Sequence, residues 1–124
     1  MTIIKGKEFI EKLFWIQNQL QLSHWREPIS GFRHATLGTY YKTMNEFIDT
    51  LVETYGGVVG KDSIALGESL YAVKNDVSIT EVINDILTVL TDFRVSFESV
   101  PALVNIIDDM MTETYKSKYL LEFN

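Results

Sequence analysis

An all-α four-helix bundle, made of two hairpins joined by one long crossover, is the fold class that this 124-residue chain predicts. Three observations carry that reading. Apolar residues recur at helical spacing along most of the chain. Two of the three connections are short enough to make antiparallel neighbours, and the third is roughly twenty residues long. Proline and glycine fall between the periodic stretches.

The elements follow in order. Phe9, Leu13, Ile16 and Leu20 form one stripe, so a first helix is expected from about Lys7 to Arg26. Pro28 and Gly31 punctuate the chain after it. A second helix is expected from Phe32 to Tyr55, ended by Gly56-Gly57. The third opens with Ser78-Ile79-Thr80-Glu81, a capping box in which Ser and Glu each satisfy the other's backbone N–H. Its stripe is Ile79, Ile83, Ile86, Leu90, Phe93 and Phe97. The fourth begins near Pro101, a residue suited to a first helical turn, and carries Leu103, Ile107, Met110, Met111 and Leu121. No repeat, low-complexity tract or linker divides the chain, so residues 1–124 read as a single domain.

The crossover is the informative connection. Val58 to Val77 separates the second and third helices. A second helix of about 24 residues is about 36 Å long, and a segment returning along it needs a stretch of this size. Hairpin, long crossover, hairpin is the ferritin-like connectivity, as opposed to plain up-down-up-down. Ile64, Leu66, Leu70, Tyr71 and Val73 predict a short packed helix inside the crossover. The alternative is an ordinary bundle with a floppy loop.

Composition narrows the chemistry. There is no cysteine, so disulfides and thiolate metal sites are excluded, and any metal must be held by His, Asp or Glu. The absence also fits a reducing, cytoplasmic setting. The formal net charge is −6. An acidic chain is poorly placed to neutralise phosphates, so no nucleic-acid partner is expected. Mild acidity would attract cations, or only aid solubility. No apolar run approaches about 18 residues, so no membrane span is expected. Met1 to Lys7 lacks a signal-peptide core.

The only two histidines, His24 and His34, flank the same short turn. His24 continues the spacing of Ile16 and Leu20, which points it inward. Asp49 and Glu53 on the second helix are spaced i, i+4 and share a face. At about 100° per residue they fall about 60° and 100° from His34, in one sector. They cannot meet His34 within one chain, because fifteen residues of helix span about 22 Å. Two copies of the second helix packed antiparallel about a two-fold axis, centred near Tyr41 to Met44, bring them together. His34 of one subunit then lies beside Asp49 and Glu53 of the other, twice per dimer. Two imidazoles and two carboxylates are a reasonable ligand set for ferrous iron. Each residue also has a plainer reading: an inward histidine is usually hydrogen-bonded, and two helical carboxylates are usually a solvated face.

The stretch Leu22-Ser23-His24-Trp25, then Gly31-Phe32, His34, Tyr41, Asp49 and Glu53, resembles the Dps family, the mini-ferritins that protect DNA during starvation. That family shows a Leu-x-His-Trp motif ending its first helix. A second His follows, with an Asp and a Glu fifteen and nineteen residues after it. The specific motifs cover about residues 9 to 57. The rest agrees in helix order and in the crossover helix, and the last helix agrees only loosely. The short, acidic ferritin relatives of some large bacteriophages look closer still.

The resemblance implies a ferroxidase centre between two subunits, holding either two irons or one. His24 and His34 would come from one chain, Asp49 and Glu53 from its partner. Ferrous iron would be oxidised by peroxide or oxygen, in a dimer or a hollow dodecamer that stores the oxide. The location implied is the cytoplasm, a host's cytoplasm for a viral protein. Three departures stand out. The family usually carries Asp four residues after its second His, and here that position is Gly38. The turn between the histidines is two residues shorter. The lysine-rich N-terminal tail that some members use on DNA is absent. The loss of a carboxylate supports a second expectation: a non-catalytic ferritin-like scaffold or interaction protein, of viral origin in one version, that has lost the chemistry.

Overall fold

A computed structural model describes residues 6–27, 31–67 and 71–122. They form four helices: α1 (Gly6–Arg26), α2 (Phe32–Val59), α3 (Ile79–Ser96) and α4 (Pro101–Leu121). Among the described residues there is no strand. No helix among them is long and apolar enough to cross a membrane.

Each helix buries the stripe its sequence carries. Phe9, Leu13, Ile16 and Leu20 of α1 meet Leu37, Tyr40, Met44 and Leu51 of α2, Ile83, Ile86, Leu90 and Phe93 of α3, and Leu103, Ile107 and Met110 of α4 in one core. Ser78 caps α3, its Oγ accepting the Glu81 N–H at 3.1 Å, which satisfies one donor of the first turn. Pro101 opens α4, where a missing N–H costs nothing.

The main packing contacts are α1 with α2, α1 with α3, α2 with α4, and α3 with α4. Joined by the crossover, α2 and α3 therefore sit across the diagonal. Phe9 at the start of α1 meets Phe93 and Phe97 at the end of α3, so those two helices are antiparallel. Arg33 at the start of α2 donates to the Leu121 carbonyl at the end of α4 at 2.6 Å, so this pair is antiparallel too. The crossover leaves α2 beside Gly6, where Ser63 comes close. It returns to the far end of α1. There the buried Gln19 amide clamps the Lys74 backbone, donating at 3.0 Å and accepting at 2.8 Å. Arg26 pairs with Asp76 just beyond.

Two expectations are corrected. Helix α2 does not stop at Gly56-Gly57 but runs on to Val59. The chain turns at Gly60, whose φ of 109° is the left-handed conformation that glycine tolerates. Gly56 serves packing instead: a Cβ there would lie 2.8 Å from the Ile64 side chain. Among its described residues the crossover also lacks the short packed helix. It holds one 3-10 turn, Lys61–Ser63, and residues 64–67 and 71–74 have no regular structure. Ile64, Leu66, Tyr71 and Val73 are largely exposed. An isolated helix this short is marginal without a buried face. Leu70 lies outside the described residues.

Candidate metal site at the α1–α2 turn

The two histidines stand at neighbouring helix ends that are braced from outside. Two residues after His24, Arg26 reaches Asp76 of the crossover at 3.0 Å. Next to His34, Arg33 holds Glu27 at 2.7 Å as well as the α4 carbonyl. The last turn of α1 and the first turn of α2 are thus tied to each other, to the crossover and to the end of α4.

Between these braces the imidazoles stack. The ring centroids of His24 and His34 are 4.2 Å apart and the planes differ by 23°. Both side chains are half-buried. The Nδ1 atoms of both are shielded from solvent and have no hydrogen-bond partner among the described residues. Buried polar atoms are nearly always paired, so two orphans in adjacent rings call for an explanation. The inward direction expected for His24 is what the structure shows, but its expected solution, a hydrogen bond, is absent at Nδ1.

The ring of His24 lies against Gly38. A Cβ placed on that glycine would stand 3.0 Å from His24 Cε1 and 3.5 Å from both ring nitrogens. The N–C–N edge of the imidazole therefore faces the bare backbone of α2. Sequence reasoning treated Gly38 only as a missing carboxylate. The signal for its contact was present: His34 and Gly38 are spaced i, i+4 on the face toward which His24 points.

Asp49 and Glu53 are not brought to this pair. Both are exposed and lie further along α2 than any side chain bridges, Asp49 about 22 Å from His34 by the helical rise. Asp49 borders a shallow groove of about 230 Å³ between α1 and α2, with Ile10, Phe14, Val52 and Ile64 around it. Among the described residues no three His, Asp or Glu of one chain gather to hold a metal ion. Asn45 lies on α2 between the histidine and the carboxylates, and its Oδ1 is a third buried atom without a partner. Tyr41 beside it is half-buried, whereas Met44 points into the core.

Donor chemistry fits a divalent metal, but the ring pose needs one adjustment. With planes 23° apart at 4.2 Å, the ring planes meet only roughly 10 Å away, whereas a metal sits about 2.0–2.1 Å from each nitrogen. A shared metal would require His24 to turn about its Cβ–Cγ bond, a soft torsion for an imidazole.

Fold and site together define an all-α four-helix protein with a paired-histidine cluster at one end. Residues 31–121 match the family of unknown function DUF5856, and the chain belongs to that family. No curated protein and no solved structure matches the chain. The matched stretch contains His34, Gly38, Asp49 and Glu53 and leaves out α1 with His24.

Proposed function

We propose that this chain is a ferritin-like protein, similar in design to the Dps mini-ferritins, that binds ferrous iron between two subunits and oxidises it. The observation that carries the reading is the pair of stacked imidazoles whose Nδ1 atoms are buried and unpartnered. Nitrogen donors left unsatisfied side by side suit a borderline divalent cation. The crossover, which returns along the bundle so that α2 and α3 lie on a diagonal, supports the ferritin-like connectivity.

In this arrangement His24 and His34 of one subunit face Asp49 and Glu53 of the other, across a two-fold axis near Tyr41 and Asn45. The exposed carboxylates are available for that role. Iron is the substrate. Each ferrous ion gives one electron, and two of them with two protons reduce one peroxide to two waters. The protein's part is to hold the ions together and neutralise their charge with carboxylates.

Mixed dimers test the shared site. A His34→Ala chain paired with an Asp49→Ala chain contains one doubly damaged site and one intact site. Co-refolding the two variants restores up to about half of the iron binding that each homodimer lacks, if the two sites are independent. Full binding by either homodimeric variant shows that the residue is not a ligand. No recovery in confirmed mixed dimers rejects the two-subunit geometry. Sedimentation adds a simpler check: a stable monomer at micromolar concentration removes the basis for any shared site.

A second reading, a ferritin-like scaffold without oxidation chemistry, is favoured by one observation. Gly38 stands where the resembling family usually carries Asp, and its space is taken by His24. A dimer that takes up no iron selects this reading.

A further inference from the structure

We infer that Gly38 is a positioning residue: its missing side chain is the seat that holds His24 against His34, and a side chain at this position crowds the histidine pair. The inference rests on the metal-site reading only for its metal arm.

The geometry is direct. The Cβ of any other residue at position 38 would approach His24 Cε1 to 3.0 Å, tighter than ordinary carbon contact, and both ring nitrogens to 3.5 Å. The neighbour that must give way is a ring attached to α1, whose last turn is held by the Gln19 clamp on Lys74 and the Arg26 pair with Asp76. The backbone is thus braced, so the ring itself must give by a few tenths of an ångström. His34 lies beside it with 4.2 Å between centroids, so any shift of the ring alters the stack.

The usual cost of a mid-helix glycine makes the same point. Gly38 sits inside a continuous 28-residue helix, where alanine is the better helix former. Its φ is not positive, so no backbone conformation demands glycine. What demands it is the imidazole packed on the bare Cα. Read this way, the position is not a defect in an otherwise conventional ligand set. A side chain at position 38 and His24 turned inward onto α2 compete for the same space.

The test is Gly38→Ala, made in the wild-type chain and again in a His24→Ala chain, with Gly38→Asp alongside. Three measurements are read. In protein free of metal, imidazole NMR reports the ring-current shifts that each stacked histidine imposes on the other. Gly38→Ala is expected to change them measurably. Thermal melting gives the second readout. Gly38→Ala should leave Tm unchanged or lower it in the wild-type background, and raise it by several degrees once His24 is removed, because only helix propensity then remains. The third is titration with Co(II), a visible probe of nitrogen ligation. Binding should weaken at least tenfold in Gly38→Ala, and Gly38→Asp should not exceed wild type.

Retained ring-current shifts in Gly38→Ala, or the same Tm change in both backgrounds, overturns the inference. So does tighter Co(II) binding by Gly38→Asp, the result expected if the glycine were simply a lost ligand. Wild-type protein that binds no Co(II) refutes the metal reading instead, and the NMR and Tm arms still decide the role of Gly38.

Discussion

The two ends of the α1–α2 hairpin are built on opposite plans. At the open end, where α1 begins and α2 finishes, Phe9 packs on Tyr55 at 4.7 Å, on Phe93 at 4.9 Å and on Phe97 at 5.2 Å. Three helices are joined there by tilted and edge-to-face rings, each contact worth about 0.5–1.5 kcal/mol beyond area burial. At the turn end, two rings also stack, but they are imidazoles with buried atoms left unpaired. The same two helices thus carry a cluster that serves stability and a cluster that costs it. Sites that violate local rules at the expense of stability are where function is expected.

That contrast breaks most easily at Phe9, which has no exposure at all. Phe9→Ala should cost about 3–5 kcal/mol in urea unfolding, a large share of a typical domain's stability. Iron or Co(II) binding at the far end should survive in whatever fraction stays folded. A loss below 1 kcal/mol would mean that the aromatic cluster is not the anchor described here.

The next effect compares a satisfied buried polar pair with the unsatisfied one. Tyr40 and Thr114 are fully buried and their hydroxyls lie 2.8 Å apart. Thr114 donates in turn to the Met110 carbonyl at 2.7 Å, so Tyr40 is the donor to Thr114. Burial pushes the Tyr40 hydroxyl well above the ordinary phenol value, and the Thr114 hydrogen bond only partly opposes it. The folded state therefore keeps its proton longer than the unfolded state does. This contribution to stability is complete below the ordinary value of 10.0 and falls as pH rises past it. Tyr40→Phe should cost about 1 kcal/mol at neutral pH and flatten the alkaline loss. His24→Leu should do the reverse at the other end, leaving stability unchanged or raising it by up to about 1 kcal/mol, because it replaces an orphaned polar ring with an apolar chain. A clear destabilisation by His24→Leu would show that the ring is structural.

Helix positions were legible in the sequence wherever an apolar stripe met a capping residue. The stripe of α1 and the Ser78 cap of α3 emerge where periodicity and side-chain chemistry place them. The end of α2 was not legible, because two consecutive glycines read as a stop until Ile64 is seen packed on Gly56. The crossover misled for the opposite reason. Its apolar residues have helical spacing but stay partly exposed, and spacing alone does not report burial. At the candidate site, the inward turn of His24 followed from i, i+4 spacing. The stacking on His34 did not, because it depends on how α1 and α2 pack.

The smallest effect on folding is expected at the carboxylates, and it isolates the chemistry from the fold. Asp49 and Glu53 are exposed, and neither joins an ion pair among the described residues. Asp49→Asn and Glu53→Gln keep shape and remove charge, so Tm should move by no more than about 3 °C in either direction. Iron binding should nevertheless fall in each variant, because an amide is a poor ligand for a hard cation beside two imidazoles. If this face packs near a two-fold axis as proposed, removing a charge from it also relieves repulsion between copies, and a dimer should persist in sedimentation. Small Tm shifts with undiminished iron binding would assign both residues to a solvated helix face. Large Tm shifts would mean that the carboxylates support the dimer itself. Iron binding lost from a stable, dimeric fold would separate a site at the turn end from the structure that carries it.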